Sequence, residues 1–119
     1  MKVCVPTYEM KGLDDTVCEH FGRAPTFTVV EIENGSVDTI SNTGAHFGGS
    51  ELLPEMLSRE GVQVMLCGGL GPRAVMMFEE AGIEVFTGAA GTVRDAIRAW
   101  QEGKLMDATD ENACRENRH

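Results

Sequence analysis

At 119 residues the chain is the size of one domain, long enough to bury a modest core without disulfides or a structural metal. Acidic residues outnumber basic ones 19 to 10, a formal net charge of -9, so the average surface repels phosphate backbones and anionic membranes, and nucleic acid and membranes are excluded as expected partners. No apolar run approaches the ~20 residues that span a bilayer, and MKVCVPTY at the N-terminus lacks a signal-type apolar stretch, so a cytoplasmic location and free thiols at Cys4, Cys18, Cys67 and Cys114 are expected.

In chain order, KVCVPTY (residues 2–8, β1) is a short β-rich run in which Pro6 removes a backbone donor and is expected to end the strand early. TFTVVEIE (26–33, β2) and SVDTIS (36–41, β3) flank Asn34-Gly35, a pair suited to a two-residue type I′ hairpin turn. After a glycine-rich break, Ser50 is placed to cap a helix over 51–60 (α1), with Leu52, Leu53, Met56 and Leu57 on one face, Pro54 in the first turn and Gly61 as the stop.

VQVMLC (62–67, β4) has the character of a buried strand, and Pro72 opens a second helix (α2) that Gly82 closes. Met76 and Met77 within it are expected to be core filler. IEVFT (83–87, β5) is the last expected strand. Thr92 and Asp95 form an approximate capping box for a third helix (α3) with an apolar stripe of Val93, Ala96, Ile97 and Trp100, closed by Gly103. Residues 1–105 then form the domain, and 106–119 a loose polar tail.

The order β-β-β-α-β-α-β-α predicts an α/β fold. Right-handed crossovers make β1, β4 and β5 parallel neighbours, and the hairpin lies on the other side of β1, so the expected five-stranded mixed sheet has the order 3-2-1-4-5 with β2 antiparallel and helices flanking it. In that arrangement the loop carrying Cys18, His20 and Arg23, the loop TGAHFGGS carrying His46, the end of β4 at Cys67 with Gly68, Gly69 and Gly71, and the loop TGAAG share one rim. Ligands of open α/β sheets bind outside the carboxyl ends of the strands.

In extended backbone, residues two apart point the same way, so Cys18 and His20 can face one ligand. Thiolate and imidazole donors suit copper, zinc and iron-sulfur species. The helix N-termini after GGLG and TGAAG favour anions, amide-rich glycine loops suit the sulfide edge of a cluster, and Arg23 adds positive charge. Plainer roles stand beside these: His20 as a loop residue capping a carbonyl, Cys67 as a small buried hydrophobe, Arg23 paired with a surplus carboxylate, and His46 in a simple connection. Cys114 and His119 in the tail are weaker metal candidates. GGLGPRA lacks the Lys-Ser/Thr ending of a nucleotide-binding loop, and β1 lacks the carboxylates of a two-metal nuclease.

HFGRAPTFTVVEIENG, LCGGLGPRA and GIEVFTGAAGTVRDAIRAWQEGKL resemble the dinitrogenase iron-molybdenum cofactor biosynthesis family, whose members include nitrogenase accessory and orange-protein-like cluster-binding domains. The resemblance spans roughly residues 1 to 106. It implies a ribonuclease H-like fold and non-catalytic binding of a metal-sulfur cluster of the Fe-Mo-S or Mo-Cu-S type. It also implies His20 as the best cluster contact, glycine-rich loops forming the rest of the pocket, and a cluster donor or acceptor protein as partner.

Cys18, His20 and Cys67 are thus the candidate metal ligands, with Arg23, His46, Gly68, Gly69 and Gly71 completing the candidate site. Two other functions fit the residues. One is a small enzyme in which Cys67 is a nucleophile assisted by His20 or His46. The other is a regulatory module that docks a protein partner without metal.

Overall fold

The computed structural model describes residues 1–19, 21–42 and 53–108. The expected cap at Ser50 therefore lies outside the described residues. The strands are β1 (Lys2–Thr7), β2 (Thr26–Glu31), β3 (Val37–Ser41), β4 (Val62–Cys67), β5 (Glu84–Thr87) and β6 (Met106–Asp107). The helices among the described residues are α1 (Leu53–Arg59), α2 (Pro72–Glu80) and α3 (Val93–Gln101).

They build an α/β fold on one mixed six-stranded sheet, ordered β3-β2-β1-β4-β5-β6. β1 runs antiparallel to β2 and parallel to β4, and β4 runs parallel to β5, the directions expected from the sequence. The expected five strands are corrected to six. Met106 and Asp107, expected as the start of the tail, pair antiparallel with Thr87 and Phe86, and Ala108 N–H donates to Val85 O at 2.8 Å. So short a segment carries no periodicity of its own, and its strand character comes from the open edge of β5.

Pro6 does not end β1, which continues through Thr7 by pairing Pro6 with Phe27 and Thr7 with Thr26 of β2. The ladder to β4 covers Lys2, Val3 and Cys4 only. The donor that proline lacks is therefore not required on the β4 side.

The hairpin turn also departs from expectation. Only Gly35 takes a positive φ (76°), whereas a type I′ turn needs one at Asn34 as well. A four-residue loop, 32–35, is closed instead by Glu31 N–H donating to Ser36 O at 2.9 Å and Gly35 N–H to Glu31 O at 2.8 Å. Asn34 contributes through its side chain, whose Oδ1 accepts the Ser36 N–H at 2.9 Å.

Side chains alternate across the sheet and give two apolar layers. Phe27, Met65 and Val85 of the sheet pack with Ile83, Leu57 of α1 and Phe78 of α2, while Val3, Val5, Val64 and Leu66 pack with Val93 and Ala96 of α3. A register shift between Lys2 and Val3 moves the alternation along β4, so that Val62, Met65 and Cys67 all belong to the first layer. Met76 is corrected: it is exposed, and Val75 and Phe78 are the residues of α2 that reach the core.

Candidate binding site at the carboxyl rim of the sheet

The rim is assembled by short main-chain bonds between loops. Beyond β1 the chain turns back, and Val17 bridges antiparallel to Thr7 while Cys18 N–H donates to Pro6 O at 2.8 Å. After β4 and β5, Ala89 N–H donates to Cys67 O at 3.0 Å and Gly88 N–H to Gly68 O at 3.1 Å. A Cβ built on Gly68 would lie 3.5 Å from Ala89 O and 4.0 Å from the Glu19 Cα. The Cys18–Glu19 segment, the start of the GGLG loop and the loop after β5 therefore meet, as the topology predicts.

The loop has a closed and an open part. Gly68 lies against its neighbours, whereas a Cβ on Gly69 or Gly71 would meet nothing within 4 Å among the described residues. Gly71 caps α2 without any side-chain bond, and Pro72 follows it, so among the described residues no side chain caps the N-terminus of α2.

The second expected anion-favouring terminus is corrected. α3 caps itself: Thr92 Oγ1 accepts the Asp95 N–H, and Asp95 Oδ2 accepts the Thr92 N–H, both at 3.1 Å. Its Val93 N–H donates to Asp15 O at 2.9 Å. The terminus already carries a carboxylate, which the capping bonds hold below the usual aspartate range, so little anion affinity is left there.

Cys18 and Cys67 lie together with Cys4 in one buried layer, alongside Phe21 and Phe27. Cys67 is 1% exposed and its Sγ donates a long bond to Phe86 O at 3.8 Å. Burial pushes its thiol up to about 11, and burial beside Cys67 pushes Cys4 higher still. Burial thus disfavours the thiolate, the form of cysteine that acts as nucleophile or metal ligand.

Cys18 is also buried, at 3% exposure, and its partner is one that sequence reasoning missed. Tyr8, half exposed just past β1, is hydrogen-bonded to the Cys18 side chain and to the Glu19 backbone; the Cys18 bond is the main cause that holds its phenol above the usual range. The signal available in the sequence was position: Tyr8 is the chain's one tyrosine and directly follows the first strand.

Arg23 closes the 3-10 turn Phe21–Arg23 and is exposed. The turn is fixed by Phe21, whose ring packs at 5.5 Å from Phe27 and 5.3 Å from Phe78. At the end of β3, Asn42 holds the next stretch: its N–H donates to Pro25 O and its Nδ2 to Ala24 O, both at 2.8 Å, and its buried Oδ1 accepts no bond among the described residues. His20, His46, Cys114 and His119 lie outside the described residues.

Among the described residues no three His, Cys, Asp or Glu side chains converge as a metal-ligand group. Nor is any helix there long and apolar enough to cross a membrane. A cleft of about 280 Å³ beside α3, lined by Leu13, Ile97 and Arg98 among others, contains none of the candidate binding residues.

The model of the family described as dinitrogenase iron-molybdenum cofactor matches residues 1–103. The chain belongs to that family. An uncharacterised protein of Methanocaldococcus jannaschii is 31% identical over 111 residues, covering 88% of this chain and 89% of its own. The structure of the apo form of the orange protein from Desulfovibrio gigas is similar at 32% identity and a TM-score of 0.76, over 89% of this chain and 91% of that one. An NMR structure of a NifB candidate from Thermotoga is similar at 31% identity and a TM-score of 0.76, over 91% and 93%.

Proposed function

We propose that the protein is a non-catalytic carrier of an anionic metal-sulfur cluster: the iron-molybdenum cofactor, a precursor of it, or a related molybdenum, copper or iron sulfide. Membership of the cofactor family over residues 1–103 is the observation that carries this reading. The rim adds support of a chemical kind. Among the described residues its glycine loop is open at Gly69 and Gly71 and leads into an α2 N-terminus without a side-chain cap, an arrangement that suits the sulfide edge of an anion.

The donor set favours cargo over a tightly caged resident metal. Cys67 is buried and its thiol is pushed up by that burial, which supports core packing for it ahead of a ligand role. Cys18 and His20 remain as the soft donors of the proposed site, with Arg23, His46 and the amides around Gly68, Gly69 and Gly71 balancing the charge of the cargo. The scaffold is read as ribonuclease H-like and cytoplasmic, with a cluster donor or acceptor protein as partner. The raised Cys67 thiol also weighs against the alternative of a cysteine-dependent enzyme.

The test is reconstitution without oxygen. The purified protein is offered tetrathiomolybdate with and without copper(I), and separately iron sulfide, then desalted and examined by metal analysis and visible absorption. Stoichiometric metal with charge-transfer bands, reduced in His20→Ala, is the expected result. A protein that emerges colourless and metal-free from every mixture overturns the reading in favour of a partner-docking module.

A further inference from the structure

Asp15 was not among the residues singled out from the sequence, yet it is 1% exposed and its carboxylate is the centre of the loop between β1 and Cys18. Oδ1 accepts N–H bonds from Thr16 at 2.9 Å and Tyr8 at 3.4 Å, and Oδ2 accepts those of Glu9 at 3.1 Å and Lys11 at 3.2 Å. A buried carboxylate that gathers several main-chain donors fixes the path of the backbone carrying them.

The same residue reaches the other half of the rim. Its own carbonyl accepts the Val93 N–H at 2.9 Å, its neighbour Thr16 bridges to Thr92, and Val17 N–H donates to Gly91 O at 2.9 Å. On the opposite side of the loop, Thr26 Oγ1 donates to Glu9 O at 2.6 Å. Tyr8, which holds the Cys18 side chain, and Cys18 itself are thus the two ends of a segment pinned at its middle by Asp15.

We infer that Asp15 is the positioning residue of the rim site: it sets the place of Tyr8 and Cys18 relative to the glycine loop without touching the cargo. The inference rests on the proposed carrier function for its purpose, but its structural content is read in the protein without cargo. Replacing the carboxylate by an amide keeps the shape and faces the Tyr8, Glu9, Lys11 and Thr16 N–H groups with a weaker acceptor or a competing donor.

The experiment compares wild type with Asp15→Asn in two measurements. Alkylation by iodoacetamide, mapped to Cys4, Cys18 and Cys67, reports local opening, because all three thiols are buried. The expected result is a rise of about tenfold or more at Cys18 alone, together with a change in the absorption of Tyr8, the chain's one tyrosine. A parallel rise at all three cysteines, or none, overturns the inference, since Asp15 then supports the whole fold or nothing at the rim.

Tetrathiomolybdate retention is measured on the same proteins. Loss in Asp15→Asn with retention in wild type is expected, and equal retention in both overturns the positioning role. If wild type retains none while Cys18 alone is exposed by the substitution, the carrier reading fails and the positioning of Cys18 stands. Should Asp15→Asn not fold, Asp15→Glu keeps the carboxylate and displaces its oxygens from the Tyr8, Glu9, Lys11 and Thr16 N–H groups; it is expected to expose Cys18 selectively, and its failure to do so overturns the inference.

Discussion

A methyl group on Gly91 would lie 2.7 Å from Asp95 Oδ2, closer than side-chain carbons approach carboxylate oxygens in folded proteins. Gly91 has a φ of 80°, and the space above it is occupied by the carboxylate that completes the α3 capping box. Glycine is therefore required twice at this position, by conformation and by contact. Gly91→Ala is expected to lower unfolding stability by about 2–3 kcal/mol through left-handed strain and a displaced cap, measured by urea denaturation. Because Gly91 O accepts the Val17 N–H, the same variant should raise amide exchange at Val17.

Gly69 stands at the other extreme. Its φ is not positive and an added Cβ would meet nothing within 4 Å among the described residues, so Gly69→Leu should change stability by no more than about 0.5 kcal/mol. It places a bulky apolar group over the open part of the loop. Retention of tetrathiomolybdate is expected to fall at least severalfold while the denaturation midpoint stays put, and undiminished retention would move the proposed cargo away from this loop.

The contrast between these glycines explains which parts of the molecule were legible in the sequence. Pro72 at the start of α2, the Thr92–Asp95 box and the glycine stops are local rules, and local bonds satisfy them in the structure. The order of β1 to β5 followed from the hairpin and from the handedness of crossovers, both insensitive to side-chain detail. β6 was not legible because its two residues become a strand only by meeting Phe86 and Thr87.

The site was legible at the level of loops and less so at the level of side chains. Topology brings the Cys18 segment and the Gly68 loop together, but whether a strand-end cysteine faces the rim or the core depends on register. Cys67 follows Met65 by two residues on the same face, and that face is covered by the core layer. Asp15 escaped notice because one aspartate in GLDDTV resembles any turn residue, and its role exists only once the loop folds the Tyr8, Glu9, Lys11 and Thr16 N–H groups round it.

Three buried hydroxyls tie the end of β1 to the start of β2, and their donors form an ordered chain. Thr26 Oγ1 donates to Glu9 O, which leaves Thr7 to donate to Thr26 across 2.6 Å and Thr28 to donate to Thr7 across 3.0 Å. Thr7 is the middle member. Thr7→Val strands the Thr28 proton in the interior and should cost about 2–3 kcal/mol, whereas Thr28→Val removes only the terminal donor and should cost about 1 kcal/mol. Chemical denaturation of the two variants separates them, and equal costs would mean that the donors do not run in this direction.

Cys67 makes stability depend on alkaline pH. Its thiol ionises at an ordinary 9.0 when the chain is unfolded and at about 11 when burial excludes the thiolate from the core. The folded state therefore holds a proton that the unfolded state releases first. The contribution is fully present below pH 9 and is lost as pH rises toward 11, by about 2–3 kcal/mol. Cys67→Ala removes this dependence and leaves the Cys4 thiol raised chiefly by its burial, the larger of its two causes, Cys67 being the smaller. Unfolding free energies measured across that range should fall more steeply for wild type than for Cys67→Ala. Parallel slopes would show that the Cys67 thiolate is accommodated in the folded protein, and would return Cys67 to the set of available cluster donors.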